Sequence, residues 1–315
     1  MRIASLNIDG VRRFGRVEGE ALIPLTRGQD PLHLLDPELA RALVWDTAVP
    51  YDEGGVLQPP LPVTTLRDFI TFEQHTAGSL RSVTGAAEVP AAWFEAPTFY
   101  FTNPHAAIGS GEDVPVPPGC ELYDFELEVA AVIGKDGFNL TVDEAWEHIA
   151  GFTILNDWSA RDLQQREMRV GLGPVKGKDT ATTLGPVIVT KDELAQHFSG
   201  DRYDLAMQVF VNGKLIGGDS LANMAWSFAE LVAYASRGTW VRRGDVLGSG
   251  TSGGGCLAEF WGWNGERTPA PLAVGDTVTM AVQGIGAISN TVVAGAPLHA
   301  VPVARRVEWS RPTQG

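Results

Sequence analysis

The amino-acid sequence predicts a β-rich α+β fold. From residue 64 onward, short apolar segments alternate with turns, and helical patterns are few. Asn212-Gly213 separates two apolar segments, and this pair is typical of a two-residue hairpin turn that needs a positive φ. Gly244-Asp245 and Gly275-Asp276 are turns that each precede an apolar strand. The clearest helix begins at Ser227 with a capping box and stops before Gly238.

The first part of the chain differs from the rest in its pattern. Residues 1–62 contain short alternating strands and a leucine-bearing segment around His33-Leu34-Leu35. They end in the proline-rich segment Gln58-Pro59-Pro60-Leu61-Pro62. We therefore expect a small N-terminal domain over residues 1–62 and a larger domain, which contains the candidate site residues described below, over residues 63–315.

Two glutamates alternate along the apolar segment of residues 123–134. Because successive side chains of a strand point to opposite faces, Glu126 and Glu128 share one face of the predicted strand. Burying either carboxylate without a partner is costly, and Mg²⁺, Ca²⁺ and Mn²⁺ all accept carboxylate oxygens as ligands. The pattern indicates a cation site, although a solvated sheet face would show the same alternation.

A third acidic residue follows in the segment of residues 151–164. A short apolar strand ends at Asp157, and Ser159 with Asp162 three residues later resembles the start of a helix. A helical stretch that begins near Thr141 connects the two predicted strands, so Asp157 can return beside the glutamates. Asp157 is therefore the third candidate ligand.

These segments resemble the fumarylacetoacetate hydrolase family, and the resemblance covers roughly residues 65–300. The matching motifs occur in the family's order and are Phe125-Glu126-Leu127-Glu128, Asn156-Asp157-Trp158-Ser159-Ala160-Arg161-Asp162-Leu163-Gln164, Lys176-Gly177-Lys178-Asp179-Thr180 and Leu184-Gly185-Pro186. The resemblance implies a mixed β-roll and a metal-dependent enzyme that acts on small 2-oxo or 1,3-dicarbonyl acids. It also implies that Glu126, Glu128 and Asp157 hold the cation.

Further segments are similar to the hydrolases of the family. Residues 68–75 resemble the hydrolase segment in which an aspartate, here Asp68, binds the metal and a histidine, here His75, is the base. Their spacing would also place both side chains on one face of a helix. Glu73 departs from the hydrolases, which carry a basic residue there. Without the resemblance, His75 reads as an ordinary surface or hydrogen-bonded histidine.

The segments around residues 250–259 resemble the loop and the glutamate that complete the hydrolase site. They predict that Gly250 and Thr251 bind substrate and that Glu259 orients His75. Glu259 lies between apolar residues of a predicted strand, where an isolated acid needs a partner, and His75 is the expected one.

Basic and polar residues near the third ligand are candidates for stabilising negative charge. Arg161 and Gln164 are three residues apart on a predicted helical turn, so both can face the metal, although surface helix positions would look the same. Lys176 and Lys178 lie in a glycine-rich loop, where a lysine can meet a substrate carboxylate or simply be solvated. We predict Lys176 rather than Lys178, because it lies three residues before Asp179-Thr180, in the family's register.

Composition limits the class of protein. The chain has 315 residues, of which 44% are hydrophobic, so it can form a large core. Its formal charge of -14 argues against nucleic acid or an anionic membrane as a partner. Cys120 and Cys256 have no neighbours at zinc-like spacing, and no disulfide framework is implied. The sequence lacks a signal peptide and a long apolar segment, so we expect a cytoplasmic protein.

The combined interpretation is a hydrolase that cleaves a carbon–carbon bond of an acylpyruvate-like 1,3-diketo acid. His75, oriented by Glu259, would activate water, and Lys176, Arg161 and Gln164 would stabilise negative charge. Decarboxylation, tautomerisation or hydration of a small 2-oxo acid at the same metal site is an alternative, and so is non-catalytic binding of a small acid. The metal can be Mg²⁺, Mn²⁺ or Ca²⁺. The family resemblance implies a homodimer.

Overall fold

The computed structural model describes residues 1–86 and 88–308. Within those residues the strands are β1 (Arg2–Ile8), β2 (Val11–Glu18), β3 (Ala21–Pro24), β4 (Val49–Pro50), β5 (Leu66–Phe69), β6 (Phe99–Thr102), β7 (Ala107–Ile108), β8 (Val114–Pro115), β9 (Tyr123–Asp124), β10 (Leu127–Ile133), β11 (Gly137–Phe138), β12 (Ile149–Asp157), β13 (Ser159–Ala160), β14 (Thr182–Thr190), β15 (Phe198–Ser199), β16 (Arg202–Tyr203), β17 (Ala206–Val211), β18 (Lys214–Ser220), β19 (Trp240–Val241), β20 (Val246–Gly248), β21 (Thr277–Val282) and β22 (Gly286–Val293).

Helices are fewer and mostly short. The α-helices are α1 (Pro37–Ala40), α2 (Glu73–Thr84), α3 (Val142–His148), α4 (Arg161–Met168), α5 (Phe228–Ala235) and α6 (Leu257–Asn264). Short 3₁₀ turns occur at Pro31–Leu35, Ala91–Phe94, Pro104–Ala106, Ala195–His197 and Leu221–Asn223. The predicted strand-rich α+β class is confirmed.

Eleven of the described strands form one large sheet. Its order is β4-β3-β2-β1-β14-β12-β10-β20-β5-β6, and β7 pairs with β14. The central strands β10, β12 and β14 are buried along nearly their whole length, as expected for strands covered on both faces. The first three strands continue this sheet through the antiparallel pairing of β1 with β14. A domain division at residue 62 therefore stays a prediction.

A second sheet of five strands, in the order β18-β17-β21-β22-β8, packs against the large one. One buried cluster contains side chains of both sheets, such as Val129 and Val187 from the large sheet and Met280 and Ile288 from the small one. This shared core holds the two sheets together, because burial of apolar surface stabilises a fold by roughly 25 cal/mol per Å².

Local sequence signals account for several element boundaries. Ser227 caps α5 in a reciprocal capping box with Glu230, as predicted. The hairpin of β17 and β18 turns at Asn212 and Gly213, whose φ angles are 51° and 75°. In contrast, α4 begins at Arg161, because Ser159 pairs in β13 with Asp124 of β9. The predicted helix start at Ser159 is therefore wrong by two residues.

Candidate active site

Four buried carboxylates converge at one end of the large sheet. Asp68 comes from β5, Glu128 from β10 and Asp157 from the end of β12, and Glu126 directly precedes β10. Oxygen atoms of Asp68, Glu126 and Glu128 lie within 4.8 Å of one another. The hydroxyl oxygen of Tyr100, on β6, lies 2.9 Å from Asp68 Oδ2 and is also within hydrogen-bond distance of Asp157 Oδ2, so it bridges the two carboxyl groups. The structure thus brings together all four acidic residues predicted from the sequence.

The placement of Asp68 differs from the sequence prediction in one respect. Asp68 lies on a strand, whereas His75 lies in the first turn of α2, so the prediction that both share one helix face is wrong. The segment 70–72 between them turns the chain from sheet to helix. Asp68 and His75 nevertheless line the same cavity.

Two cations neutralise part of this negative charge. Lys178 Nζ lies 2.6 Å from Asp157 Oδ2 and also contacts Glu126 Oε2, and its side chain is only 4% exposed. An Nη atom of Arg161 lies 2.6 Å from Glu126 Oε1. Gln164 accepts a hydrogen bond from Arg161 at 3.1 Å and lines the cavity beside it. Arg161 and Gln164 are therefore in the predicted site.

The structure does not bring Lys176 into the cluster. Its side chain is 60% exposed, and its Nζ pairs with Asp179 Oδ1 at 2.7 Å. The backbone N–H of Lys176 is held by the carboxylate of Glu167, while Lys178, two residues later, enters the buried site. The preference for Lys176 over Lys178 is corrected accordingly.

His75 and Glu259 meet, but in a different setting from the predicted one. Glu259 lies in the first turn of α6 and not on a strand. His75 Nδ1 lies 3.8 Å from Glu259 Oε2 and 3.6 Å from Cys256 Sγ. Glu259 accepts hydrogen bonds from Gln74 Nε2 at 2.8 Å and from the N–H of Gly254 at 2.7 Å. These donors fix the glutamate beside the imidazole ring.

The predicted substrate-binding loop contacts a candidate ligand. The N–H of Gly250 donates to Glu128 Oε2 at 3.0 Å, and the hydroxyl of Thr251 lies 3.4 Å from Glu128 Oε1. Thr251 also lines the cavity, so it remains available to a bound molecule. Both residues therefore position Glu128 in the structure, and a role in substrate binding stays a prediction.

Two residues of the site were missed from the sequence, Tyr100 and Asp124. Asp124 accepts hydrogen bonds from Arg161 Nε at 2.8 Å and from the N–H groups of Leu257 and Ala258 at 2.8 and 2.9 Å. A signal for Asp124 existed, because it continues the alternation of Glu126 and Glu128 by one step. A polar hydroxyl within an aromatic strand, as at Tyr100, also calls for a partner.

Burial and mutual repulsion perturb the acid groups strongly. Burial raises the pKa of Asp68, Glu128 and Asp157, and for Glu128 the charge of Asp68 adds to this effect. Burial alone would also raise the pKa of Glu126, but Arg161 and Lys178 hold it below its usual range. The cluster therefore has more carboxylates than its own cations can neutralise.

Burial has the opposite effect on the pKa of His75, the candidate base. It lowers the pKa of His75 to about 4, because the charged imidazolium is disfavoured away from water. Burial also raises the pKa of Glu259. His75 is thus a neutral imidazole at pH 7, as a proton acceptor must be.

The residues present fit a hard divalent cation. Asp68 Oδ1 and Asp157 Oδ1 are buried and accept no hydrogen bond from any residue that the structure describes. Gly248 leaves room beside the cluster, since a Cβ there would lie 2.7 Å from Asp68 Oδ1 and 2.8 Å from Glu128 Oε2. An all-oxygen donor set of carboxylates suits Mg²⁺, Mn²⁺ or Ca²⁺.

Two of the four carboxylates, Asp68 and Glu126, line a cavity of about 270 Å³ and form part of its floor. Most of its lining comes from helices α2 and α4, strands β5 and β6, and the segment after α4. The lining residues are Asp68, Phe69, Ile70, His75, Ser79, Leu80, Val83, Thr84, Thr98, Phe99, Tyr100, Glu126, Arg161, Gln164, Met168, Pro174, Lys178 and Thr251. The arrangement places a neutral base, two cations and a candidate cation site around one small cavity that is open to solvent on one side. This is the composition expected of a site for small organic acids.

Comparison with known families matches residues 66–293 to the family described as fumarylacetoacetate (FAA) hydrolase C-terminal. Because this match covers most of the chain, the protein belongs to the fumarylacetoacetate hydrolase family. The resemblance inferred from the sequence motifs is confirmed, and so is the family's strand-rich fold.

Similar curated proteins include two oxaloacetate tautomerases. One is oxaloacetate tautomerase YisK of Bacillus subtilis (strain 168), 33% identical over 208 residues, which are 65% of this chain and 63% of the relative. Another is the mitochondrial oxaloacetate tautomerase FAHD2A of Homo sapiens, 35% identical over 188 residues, which are 59% of this chain and 55% of the relative. The match therefore spans less than two thirds of the length of either relative.

Solved structures support the fold. A 5-carboxymethyl-2-hydroxymuconate delta-isomerase from Mycobacterium smegmatis has a TM-score of 0.69 at 23% identity, covering 93% of this chain and 100% of that one. A fumarylpyruvate hydrolase from Pseudomonas aeruginosa in complex with Mn²⁺ and pyruvate has a TM-score of 0.59 at 23% identity, covering 79% and 92%. Proteins that share this fold therefore include both isomerases and hydrolases.

Some predictions concern properties outside the site. No helix among residues 1–86 and 88–308 is long and apolar enough to cross a membrane. The cytoplasmic location and the homodimer stay predictions.

Proposed function

We propose that the protein is a metal-dependent hydrolase that cleaves a carbon–carbon bond of a 1,3-diketo acid such as an acylpyruvate. The observation that carries this proposal is the position of His75, which is buried, neutral and lines the cavity beside the carboxylate cluster. Activation of water requires a neutral base within reach of the reacting carbonyl group, and His75 is placed for this role.

Asp68, Glu126, Glu128 and Asp157 would hold the divalent cation, which is Mg²⁺, Mn²⁺ or Ca²⁺. When bound, such a cation supplies Lewis-acid polarisation of the substrate oxygens and orients the diketo acid. Gly250 and Thr251 support this role indirectly, because they fix the carboxylate of Glu128.

His75 performs the proton transfers of the proposed reaction. Its Nδ1 lies against Cys256 and Glu259, which leaves Nε2 for the cavity. Nε2 accepts a proton from water while the water oxygen bonds to the distal carbonyl carbon. Cleavage of the carbon–carbon bond then leaves its electron pair on the pyruvate fragment as an enolate. The imidazolium of His75 returns the proton to carbon, and the products are pyruvate and a carboxylic acid.

Donors around the cavity stabilise the negative charge that develops during these steps. Lys178, Arg161 and Tyr100 all border the cavity with N–H or O–H groups, and Gln164 adds an amide. A preorganised donor of this kind contributes about 3 kcal/mol to transition-state stabilisation. Lys178 takes the role that the sequence assigned to Lys176, because only Lys178 lies in the site.

The test follows the enol absorbance of a panel of acylpyruvates with added Mg²⁺ or Mn²⁺. We expect metal-dependent loss of absorbance that yields pyruvate and a carboxylic acid, and no loss with EDTA-treated protein or with His75→Ala. Direct binding of Mn²⁺ by His75→Ala serves as a control for an intact metal site. Full turnover by His75→Ala would contradict the assignment of the base.

A second candidate function is the keto–enol tautomerisation of oxaloacetate. Two relatives at 33% and 35% identity are named as oxaloacetate tautomerases, and this favours the candidate. The reaction needs enolate stabilisation and proton transfer but no attack by water. Interconversion of keto and enol oxaloacetate without cleavage of any acylpyruvate would replace the hydrolase proposal by this one.

A further inference from the structure

The cavity has two chemically different halves. Its floor is charged or strongly polar and carries Asp68, Glu126, Lys178, Arg161 and His75. The outer wall is formed mainly by apolar side chains, which are Ile70, Leu80, Val83, Phe99, Met168 and Pro174. A molecule that fills the whole cavity therefore meets charge at one end and hydrocarbon at the other.

Helix α2 gives the apolar half its length. His75, Ser79 and Val83 all line the cavity, and their spacing of four residues places them on one helix face. The eight residue-to-residue steps of α-helix from His75 to Val83 rise by about 12 Å. The wall thus extends well beyond the base, and a bound molecule can be considerably longer than oxaloacetate.

None of the described residues that form the outer wall of this cavity is a cation that could pair with a second carboxylate. Among the cavity-lining residues that the structure describes, Arg161 and Lys178 are the permanently charged cations, and both are engaged in buried ion pairs. The hydroxyls of Ser79 and Thr84 donate to helix carbonyl oxygens, at 3.5 and 2.9 Å. A terminal carboxylate placed against this wall would lose water without gaining a charged partner.

The segment that follows α4 carries exposed apolar side chains next to the cavity, together with the exposed Arg169. Met168 and Pro174 both line the cavity, and between them Val170 and Leu172 are 72% and 84% exposed. Exposed branched apolar side chains beside an apolar opening favour an apolar ligand group there.

We propose that this site selects 2-oxo or 1,3-diketo acids whose distal substituent is an uncharged alkyl or aryl group. The inference rests on the proposed function for the reacting end of the substrate and adds the chemistry of the other end. The 2-oxo carboxylate end binds at the charged floor, and the distal group packs along Leu80 and Val83. Dicarboxylic substrates with a charged far end bind poorly.

Calorimetric binding of two matched ligands to the full chain with Mn²⁺ tests this inference. The ligands 2-oxohexanoate and 2-oxoadipate have equal chain lengths and differ in a terminal methyl against a terminal carboxylate. We expect 2-oxohexanoate to bind at least about tenfold more tightly, since the carboxylate would be desolvated without a partner. Tighter or equal binding of 2-oxoadipate by the wild type would overturn the inference, whatever the behaviour of any variant.

A variant pair locates the preference at the wall. Val83 is half-buried, and its backbone carbonyl, which accepts a hydrogen bond from Gln165, is unaffected by a change of side chain. Val83→Arg should reverse the preference toward 2-oxoadipate, whereas Val83→Met, similar in length but uncharged, should keep it. An unchanged preference in a folded Val83→Arg would place the selectivity elsewhere and overturn this assignment.

The outcome is distinguishable from a failure of the proposed function. Preferential binding of 2-oxohexanoate without cleavage of any acylpyruvate would contradict the proposed hydrolase activity and support the apolar subsite. Cleavage of acylpyruvates with equal kcat/KM for alkyl and carboxylate tails would support the proposed hydrolase activity and contradict the apolar subsite.

Discussion

Replacement of Glu128 by Gln separates the stability of the metal-free fold from the stability gained by binding a metal. Glu128 is fully buried, and its pKa is raised by burial and by the charge of Asp68. In the unfolded chain the same group ionises at its ordinary pKa. As the pH rises above that value, the metal-free fold therefore loses stability that it has at lower pH.

Glutamine has the shape of the protonated acid and carries no charge. Its amide oxygen can accept from the N–H of Gly250, and its NH₂ group can donate to Thr251 Oγ1, so both contacts of Glu128 persist. At pH 8 we expect metal-free Glu128→Gln to unfold at the same temperature as the metal-free wild type or at a higher one. The substitution removes the repulsion between Glu128 and Asp68 while it keeps the acceptor for the Gly250 N–H.

The metal-bound state should respond in the opposite direction. A cation at 100 times its Kd stabilises the wild type by about 2.7 kcal/mol, which raises Tm by about 5 °C at ~2 °C per kcal/mol. Glu128→Gln loses one ligand of the cluster and should show little or none of this rise.

Thermal unfolding with and without Mn²⁺, after EDTA treatment, measures both effects. Glu121→Gln removes an exposed glutamate and is the matched control, for which we expect the wild-type rise. The reasoning would be refuted if Glu128→Gln kept the full rise, or if its metal-free form melted several degrees below the metal-free wild type.

Three further predictions follow from buried charges and from the base. His75→Ala should lower kcat by about 10²- to 10⁴-fold while Mn²⁺ still raises Tm, as measured by turnover and thermal unfolding. Lys178→Met should lower kcat by about 10²-fold, because Lys178 contacts the carboxylate cluster. Lys176→Met should leave kcat within about twofold, because the Lys176 side chain is 60% exposed and pairs with Asp179 outside the cluster. Arg67→Met should destabilise the fold by about 3–5 kcal/mol in urea unfolding, because it leaves the buried Asp245 carboxylate without its 2.8 Å ion pair.

Each of these has a contradicting outcome. Loss of the metal-dependent rise in His75→Ala would make His75 part of the metal site. Equal effects of the two lysine substitutions would contradict the separation of the buried lysine from the exposed one. A change below about 1 kcal/mol in Arg67→Met would show that solvent reaches Asp245 and screens its charge.

The positions of three candidate acidic ligands were predictable because their spacing encodes geometry directly. Glu126 and Glu128 alternate with apolar residues, and Asp157 ends an apolar strand, so strand periodicity and strand ends locate them. The hairpin at Asn212 and the capping box at Ser227 are also local signals. In all these cases the residues that decide the structure lie within a few positions of one another.

Other features depend on contacts between distant segments. Glu259 lies on a helix because Cys256 and Asp124 hold the first N–H groups of α6, and Asp124 is far away in the sequence. The choice between Lys176 and Lys178 depends on Glu167, whose carboxylate fixes the loop backbone. Neither arrangement follows from the spacing of residues in this one sequence.

The carboxylate of Asp124 links two parts of the site that perform different tasks. It accepts from the N-terminal N–H groups of α6, the helix that carries Glu259, and from the guanidinium of Arg161 at the start of α4. Glu259, proposed to orient the base, and Arg161, proposed to meet substrate charge, are therefore both positioned by contacts with the same carboxylate. A displacement of the Asp124 carboxylate would therefore move Glu259 and Arg161 together. We expect a substitution at Asp124 to weaken proton transfer and anion binding in parallel, although Asp124 itself contacts neither the water nor the substrate.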